Sequence, residues 1–304
     1  KFNIGVKKIN IYLIMLNLGI ILYFMVSGVN GKIGDYTKIS LSSKVEYLIL
    51  PYIMVVFFSP TKILKLINGI FYCYIMYLFL LGSRITGIQL LFMILVLNKN
   101  LIKRYRNNKG LIIILLCIIA MDFVGDVRSL PGNIYEKIQF YLMSESSNRI
   151  VNNEADVIYS GTALIGLIKI GILNLEMSVK TFIFMLFDLF GINIFNQNLS
   201  IPWQIINFTP IGGGGLISSQ LYYLGREPLV ILIAYFIGNN VKKLFGTIKN
   251  NLYTLYRLMI LLTVFRWFAY SLNTLYKMSC YAILVYYINM MLDKFIKKRK
   301  EKNG

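Results

Sequence analysis

The chain has 304 residues, 57% of them hydrophobic, and carries a formal net charge of +19 without a single histidine. A soluble domain of this length could not hide so much apolar surface, so the composition predicts a membrane protein and excludes an ordinary cytosolic domain. The missing histidine excludes His–Ser, His–Cys and His–metal chemistry, and three cysteines without CxxC spacing suggest neither zinc nor a disulfide framework.

The basic N-terminal stretch, with Lys1, Lys7 and Lys8, is placed on the cytoplasmic side. Residues 11–29 are too long for a signal peptide and lack its small-residue cleavage site, so they read as a first outward span. A loop follows at 30–44. Residues 45–58 return, 59–62 form an inner turn, and 63–81 go out again. Residues 85–97 come back to the basic loop 98–110, and 111–123 run outward. Every basic cluster up to that point falls inside, which accounts for charge that would otherwise suggest nucleic acid. No nucleic-acid partner is expected.

Residues 124–162 read as a large extracytoplasmic loop carrying Asp126, Arg128, Glu136, Glu145, Arg149, Glu154 and Asp156. A loop that long is usually functional or disordered. Residues 163–195 read as a re-entrant or interfacial helical hairpin. Lys169, Glu176, Lys180 and Asp188 interrupt its two short apolar arms, and its turn is expected at "EMS". Residues 196–216 form a glycine-rich extracytoplasmic loop with Gly212, Gly213, Gly214 and Gly215 in a row. Runs at 216–224 and 229–245 lead back inside, 252–265 lead out, and 278–293 return to a basic tail at 294–300. The predicted architecture is a single all-α polytopic domain over 1–304, with eight spans plus the hairpin. Cys73, Cys117 and Cys280 lie in apolar segments and read as buried thiols. Asp122 and Asp188 also fall in apolar segments, where an acid is costly and often functional.

Five arginines escape the positive-inside pattern: Arg84, Arg128, Arg149, Arg226 and Arg266. Each falls at an outer boundary or in an outer loop. A guanidinium at headgroup depth binds phosphate through two parallel N–H donors and keeps its charge. A ring of them would suit a lipid pyrophosphate. The plainer alternative is that each one snorkels or pairs with an acid, Arg226 with its neighbour Glu227 above all. Arg84, in "LLGSRITG", has no acid nearby.

Four stretches carry a family resemblance. "GSRITGIQLLFMILVL" resembles the Gly-Ser-Arg opening of a helix in Wzy-type O-antigen and capsular polysaccharide polymerases, the oligosaccharide repeat unit polymerases. "RIVNNEADVIYSGTAL" resembles the charged stretch of that family's large outer loop. "FTPIGGGGLISSQLYYLGREPLVILIAYFIGN" is similar to its glycine-rich loop and following helix, except that a second glycine is replaced near Pro228. "VFRWFAYSLNTL" is similar to the later arginine-bearing segment. The elements follow in the same order along most of the chain.

The resemblance implies a GT-C-like bundle of about 8–10 transmembrane helices in the bacterial cytoplasmic (inner) membrane, with its active site facing outward. It implies a glycosyltransferase that moves a growing glycan from undecaprenyl pyrophosphate onto the terminal sugar of another lipid-linked repeat unit. A cationic cradle, a proton acceptor and a lateral groove for lipid are then needed. Arg84, Arg149 and Arg266 are the expected pyrophosphate ligands, with Arg128 behind them. Glu154 or Asp156 is the expected base, the seven-residue spacing from Arg149 placing Asp156 on the same face if 149–162 is helical. Gly212, Gly213, Gly214, Gly215, Tyr222 and Tyr223 are expected to face the glycan, together with Ser218, Ser219 and Gln220. Neither metal nor cofactor is expected. The implied partners are undecaprenyl-pyrophosphate-linked oligosaccharide, membrane lipids, a chain-length regulator and a flippase. An O-antigen ligase-like transferase, a lipid-linked sugar flippase and a non-catalytic scaffold are the alternatives. Charges at the outer rim and the lack of an inverted repeat weigh against a transporter.

Overall fold

A computed structural model describes residues 11–30, 40–41, 43–58, 61–81, 83–97, 134–143, 149–195, 197–208, 215–244 and 252–303. Their regular structure is helical apart from a two-residue antiparallel pairing of Val29–Asn30 with Ser40–Leu41. The all-α expectation therefore holds for the described residues. They divide into two compact units, one drawn from Lys1–Arg149, Thr247–Tyr256 and Cys280–Gly304, the other from Ile150–Gly246 and Arg257–Ser279.

In the first unit, α1 (Ile11–Ser27) packs on α3 (Ile49–Phe58), and α4 (Thr61–Leu80) packs on α5 (Arg84–Leu97). The short α2 (Ser43–Tyr47) precedes α3, and α6 (Ile134–Met143) comes later in the chain. The expected continuous span 45–58 is broken at Leu48. Pro51 has no N–H to offer the carbonyl of Tyr47, and its ring crowds that carbonyl, so the helix restarts. Pro51 then sits in the first turn of α3, where its missing donor costs nothing. Every residue of α3 is buried. Its Tyr52 hydroxyl donates to Asn68 Oδ1 on α4 at 2.5 Å.

Helix α1 buries Leu13, Ile14, Asn17, Ile21 and Met25, while Met15, Leu16, Leu22, Tyr23 and Val26 stand exposed. Both sides are apolar, which a water-soluble fold avoids and a lipid-facing helix requires. Asn17 turns its amide inward and donates to Asn289 Oδ1 at 2.8 Å. That residue lies on α13 (Asn273–Asn303), which contributes residues to both units, as does α11 (Leu252–Leu262). Further along α13, Leu284, Tyr287, Ile288, Met291 and Phe295 are exposed, while Ala282, Tyr286, Asn289 and Asp293 are buried. The spacings of three and four put these sets on opposite faces.

α7 (Arg149–Lys169), which belongs to the second unit from Ile150 on, is followed there by α8 (Leu175–Asp188). The boundary expected between a loop ending at 162 and a hairpin beginning at 163 falls inside α7. The two helices are separated at 170–174, and "EMS" lies inside α8. Gly171 turns there with φ +80°, and Asn174 caps α8 by accepting from the Met177 N–H at 2.9 Å. Glu176 and Lys180, read as interruptions, are an i,i+4 ion pair at 2.5 Å on the exposed side of α8. Asp188 accepts from Lys277 Nζ at 3.0 Å and from the Asn273 amide at 3.3 Å, so its charge is matched within the fold. Asp122 lies outside the described residues. Cys73 and Cys280 are exposed on their helices, not buried, because each sits on an outward apolar face; Cys117 lies outside the described residues.

After α9 (Ile201–Ile206) comes α10 (Ile217–Leu244), followed by α11 and the single turn α12 (Val264–Trp267). Among the described residues α10 is the one helix long and apolar enough to cross a membrane, and several shorter apolar helices accompany it. The expected span at 111–123 lies outside the described residues.

Candidate functional site

The second unit places the end of the glycine run, a broken helix and a late arginine in one arrangement. Its centre is α10, which is two helices joined at an abrupt break. Gly225 has φ −159°, ψ 21°, and Arg226 has φ 58°, ψ −161°. The cause is written in "GREP". Pro228 cannot donate to the carbonyl of Leu224, and its ring disfavours helical backbone at Glu227. The interruption expected between 224 and 229 is therefore present, and the segment 227–244 beyond it rises about 27 Å, close to the apolar thickness of a bilayer.

A broken helix in an apolar setting must find partners for the carbonyls it frees. Ser178 on α8 supplies them. Its buried hydroxyl reaches the carbonyls of Tyr223 at 2.9 Å and Leu224 at 3.3 Å. One turn on, Thr181 accepts from Gln204 Nε2 at 2.7 Å, and Tyr223 donates to Gln204 Oε1 at 3.0 Å. Gln204 is held in addition by the carbonyl of Leu199 at 2.7 Å. Four buried polar side chains thus lock the first half of α10 to α8 and α9. Ser178→Ala is expected to strand carbonyls at the break and cost about 1–3 kcal/mol. A thermal midpoint equal to wild type would show that the break does not depend on this hydroxyl.

The other end of that half-helix meets the glycine run. Gly212, Gly213 and Gly214 lie outside the described residues, but Gly215 is buried and adopts φ +69°. A Cβ there would lie 3.1 Å from the amide nitrogen and 3.2 Å from the Cα of Gly161 on α7. Glycine is needed for both the turn and the backbone crossing. Ile217 N–H donates to the carbonyl of Phe268 at 2.8 Å, and Gln220 staples the two segments together. Its Nε2 donates to the carbonyls of Gly215 at 3.0 Å and Tyr270 at 3.4 Å, while Leu272 N–H donates to its Oε1 at 2.9 Å.

Arg266 belongs to the stapled segment. It lies partly buried on α12, with Trp267 beside it anchored by a 2.8 Å bond from Nε1 to the carbonyl of Ile260. The structure therefore brings the end of the glycine run and the Arg266 segment together. Arg84 and Arg149 open α5 and α7, and Glu154 and Asp156 lie in the helical stretch of α7. Arg128 lies outside the described residues.

Several residues expected to meet sugar have other surroundings. Tyr223 is 3% exposed, and its hydroxyl is engaged by Gln204 and Thr181. Ser219 and Gln220 are buried too, and Ser219 Oγ donates to the carbonyl of Leu216 at 2.7 Å. Their polar atoms hold the turn instead of lining a surface. Ser218 is exposed, and Tyr222 is half-buried.

Arg226 has more structure than its sequence neighbourhood suggested. It is the only non-glycine residue with positive φ among the described residues. It makes no ion pair with Glu227. Its guanidinium lies 5.2 Å from the ring centroid of Tyr222. An exposed cation–π contact contributes about 0.5–1 kcal/mol, whereas this backbone region costs about 1–3 kcal/mol for any residue but glycine. Stacking alone does not offset the strain. The signal available in the sequence was "GRE-Pro": an arginine placed where a proline forces an irregular backbone.

Among the described residues no three His, Cys, Asp or Glu side chains gather as a metal site would require. The fold and site define an all-α protein with a broken, membrane-length helix and many exposed apolar helical faces. Comparison of the chain with protein-family models, with curated proteins and with solved structures finds no match.

Proposed function

We propose that the chain is a polytopic enzyme of the bacterial cytoplasmic membrane that polymerises undecaprenyl-pyrophosphate-linked oligosaccharide repeat units at the outer face. The observation that carries this reading is the α10 arrangement. Gly215 at the end of the glycine run, the broken helix that follows it and the arginine-bearing segment some 50 residues on are tied together by Gln220. In the proposed reaction the anomeric carbon of the donor glycan leaves its pyrophosphate and is bonded by an acceptor hydroxyl oxygen. Arg266 stabilises the charge gathering on the departing pyrophosphate, and Arg84 and Arg149 each bind lipid phosphate. Glu154 or Asp156 takes the acceptor proton. The exposed apolar faces of α1, α8 and α13 support a lipid environment, since all three present large side chains outward. The exposed basic end of α13, with Lys294, Lys298 and Arg299, supports a cytoplasmic C-terminus.

A transporter of lipid-linked sugars is the second reading, because broken helices are the usual binding elements of such proteins. One experiment separates the two. The protein is reconstituted into vesicles with a purified lipid-linked repeat unit. Formation of a ladder of longer glycans supports the polymerase. Movement of the unit across the bilayer without lengthening supports the transporter and ends the polymerase reading.

A further inference from the structure

We infer that Arg226 is a phosphate-binding residue, and that its strained backbone persists because the guanidinium there captures the phosphate groups of an anionic ligand. Phosphate chemistry is what this residue offers; the lipid-linked pyrophosphate as its natural source rests on the function proposed above. Four observations converge on it. The backbone of Arg226, at φ 58° and ψ −161°, is one that glycine adopts freely and arginine does not. The side chain is exposed and makes no ion pair with the adjacent Glu227. It lies against the ring of Tyr222, which meets a guanidinium through its face. The in-plane N–H donors, which match phosphate oxygens two at a time, are left available. Lastly, the residue stands at the break of the one helix, among those described, that is long and apolar enough to cross a membrane, a setting in which a bound anion would supply a counter-charge.

The break itself does not require arginine. Pro228 and the Ser178 hydroxyl account for it, and a Cβ on Gly225 would lie 2.8 Å from Leu229 Cβ, so Gly225 already provides the close turn. Glycine at 226 would relieve the backbone and leave the break intact. Stability and ligand binding are therefore opposed at this position, which is the pattern of a residue retained for function.

The test uses the full chain in nanodiscs of neutral phosphatidylcholine, comparing wild type with Arg226→Gly and Arg226→Lys. Without ligand, Arg226→Gly is expected to melt about 2–4 °C higher than wild type. Inorganic pyrophosphate and farnesyl pyrophosphate are then titrated separately. The expected result is binding to wild type and a loss of at least about tenfold in Arg226→Gly, with a smaller loss in Arg226→Lys, which keeps the charge but not the fork. Binding of both probes identifies the phosphate group as sufficient, and binding of the farnesyl probe alone identifies a lipid-linked source. Equal affinity in wild type and Arg226→Gly overturns the inference, as does the absence of binding to wild type. A melting point below wild type for Arg226→Gly overturns the opposition of strain and binding. Polymer synthesis is assayed in parallel. Binding that depends on Arg226 in a protein that makes no polymer leaves the inference standing and removes the polymerase. Polymer made with affinity independent of Arg226 does the reverse.

Discussion

Arg266→Ala is expected to lower polymer synthesis by about 10²–10³-fold, leaving short products where wild type makes long ones. That is the effect of removing one preorganised donor from a site where negative charge develops. Arg84→Ala is expected to act in the same direction. Arg84 is the first residue of α5, and its loss removes a positive charge from that helix end. Arg266→Lys is expected to fall between alanine and wild type, because an ammonium keeps the charge but cannot pair with two oxygens at once. The measurement is the glycan ladder made from a purified lipid-linked repeat unit by each variant at wild-type abundance. Long-chain polymer from both alanine variants would sink the cationic cradle.

Gln220→Leu is expected to be the most damaging single change to the second unit. Leucine fills the space but abandons the carbonyls of Gly215 and Tyr270 and the amide of Leu272. Gln220 is 1% exposed, so water does not replace what is lost. The buried Gly215 carbonyl and the Leu272 amide lose their partners, which costs about 2 kcal/mol or more, a fall of roughly 4–8 °C in thermal midpoint. Polymer length is expected to fall as well, since the staple positions the Arg266 segment against the end of the glycine run. Gln220→Glu keeps an acceptor for Leu272 but loses both donated bonds, and is expected to be intermediate. A Gln220→Leu protein that melts with wild type would show that the two segments are held by apolar packing alone.

The broken helix illustrates what a linear reading captures. Pro228 announces it, because the lack of an N–H and the bulk of the ring act on residues within four positions. Gly215 was legible for a similar reason: a run of four glycines implies a backbone that side chains would obstruct. Pro51 carried the same kind of signal, and the break at Leu48 that it causes lay unread inside an apolar run that looked continuous. Tyr223 was misassigned for a different reason. An amphipathic aromatic next to Tyr222 and Gln220 looks equally fit for a sugar or for a core, and its actual partners, Thr181 and Gln204, lie 42 and 19 residues away.

The amino-acid sequence by itself determined the helical class, the apolar character, the position of the helix break and the set of arginines outside the basic clusters. These follow from composition and from interactions within a few residues. Only the tertiary structure decided which polar side chains are spent inside the fold. Ser178 caps the break, Gln220 joins Gly215 to the Arg266 segment, and Asp188 is matched by Lys277. It also decided that Arg226 occupies a glycine conformation and leans on Tyr222 instead of Glu227. The physical reason is that burial makes every unpaired polar group costly, and the partner that removes the cost is chosen by proximity in space, which spacing along the chain does not encode.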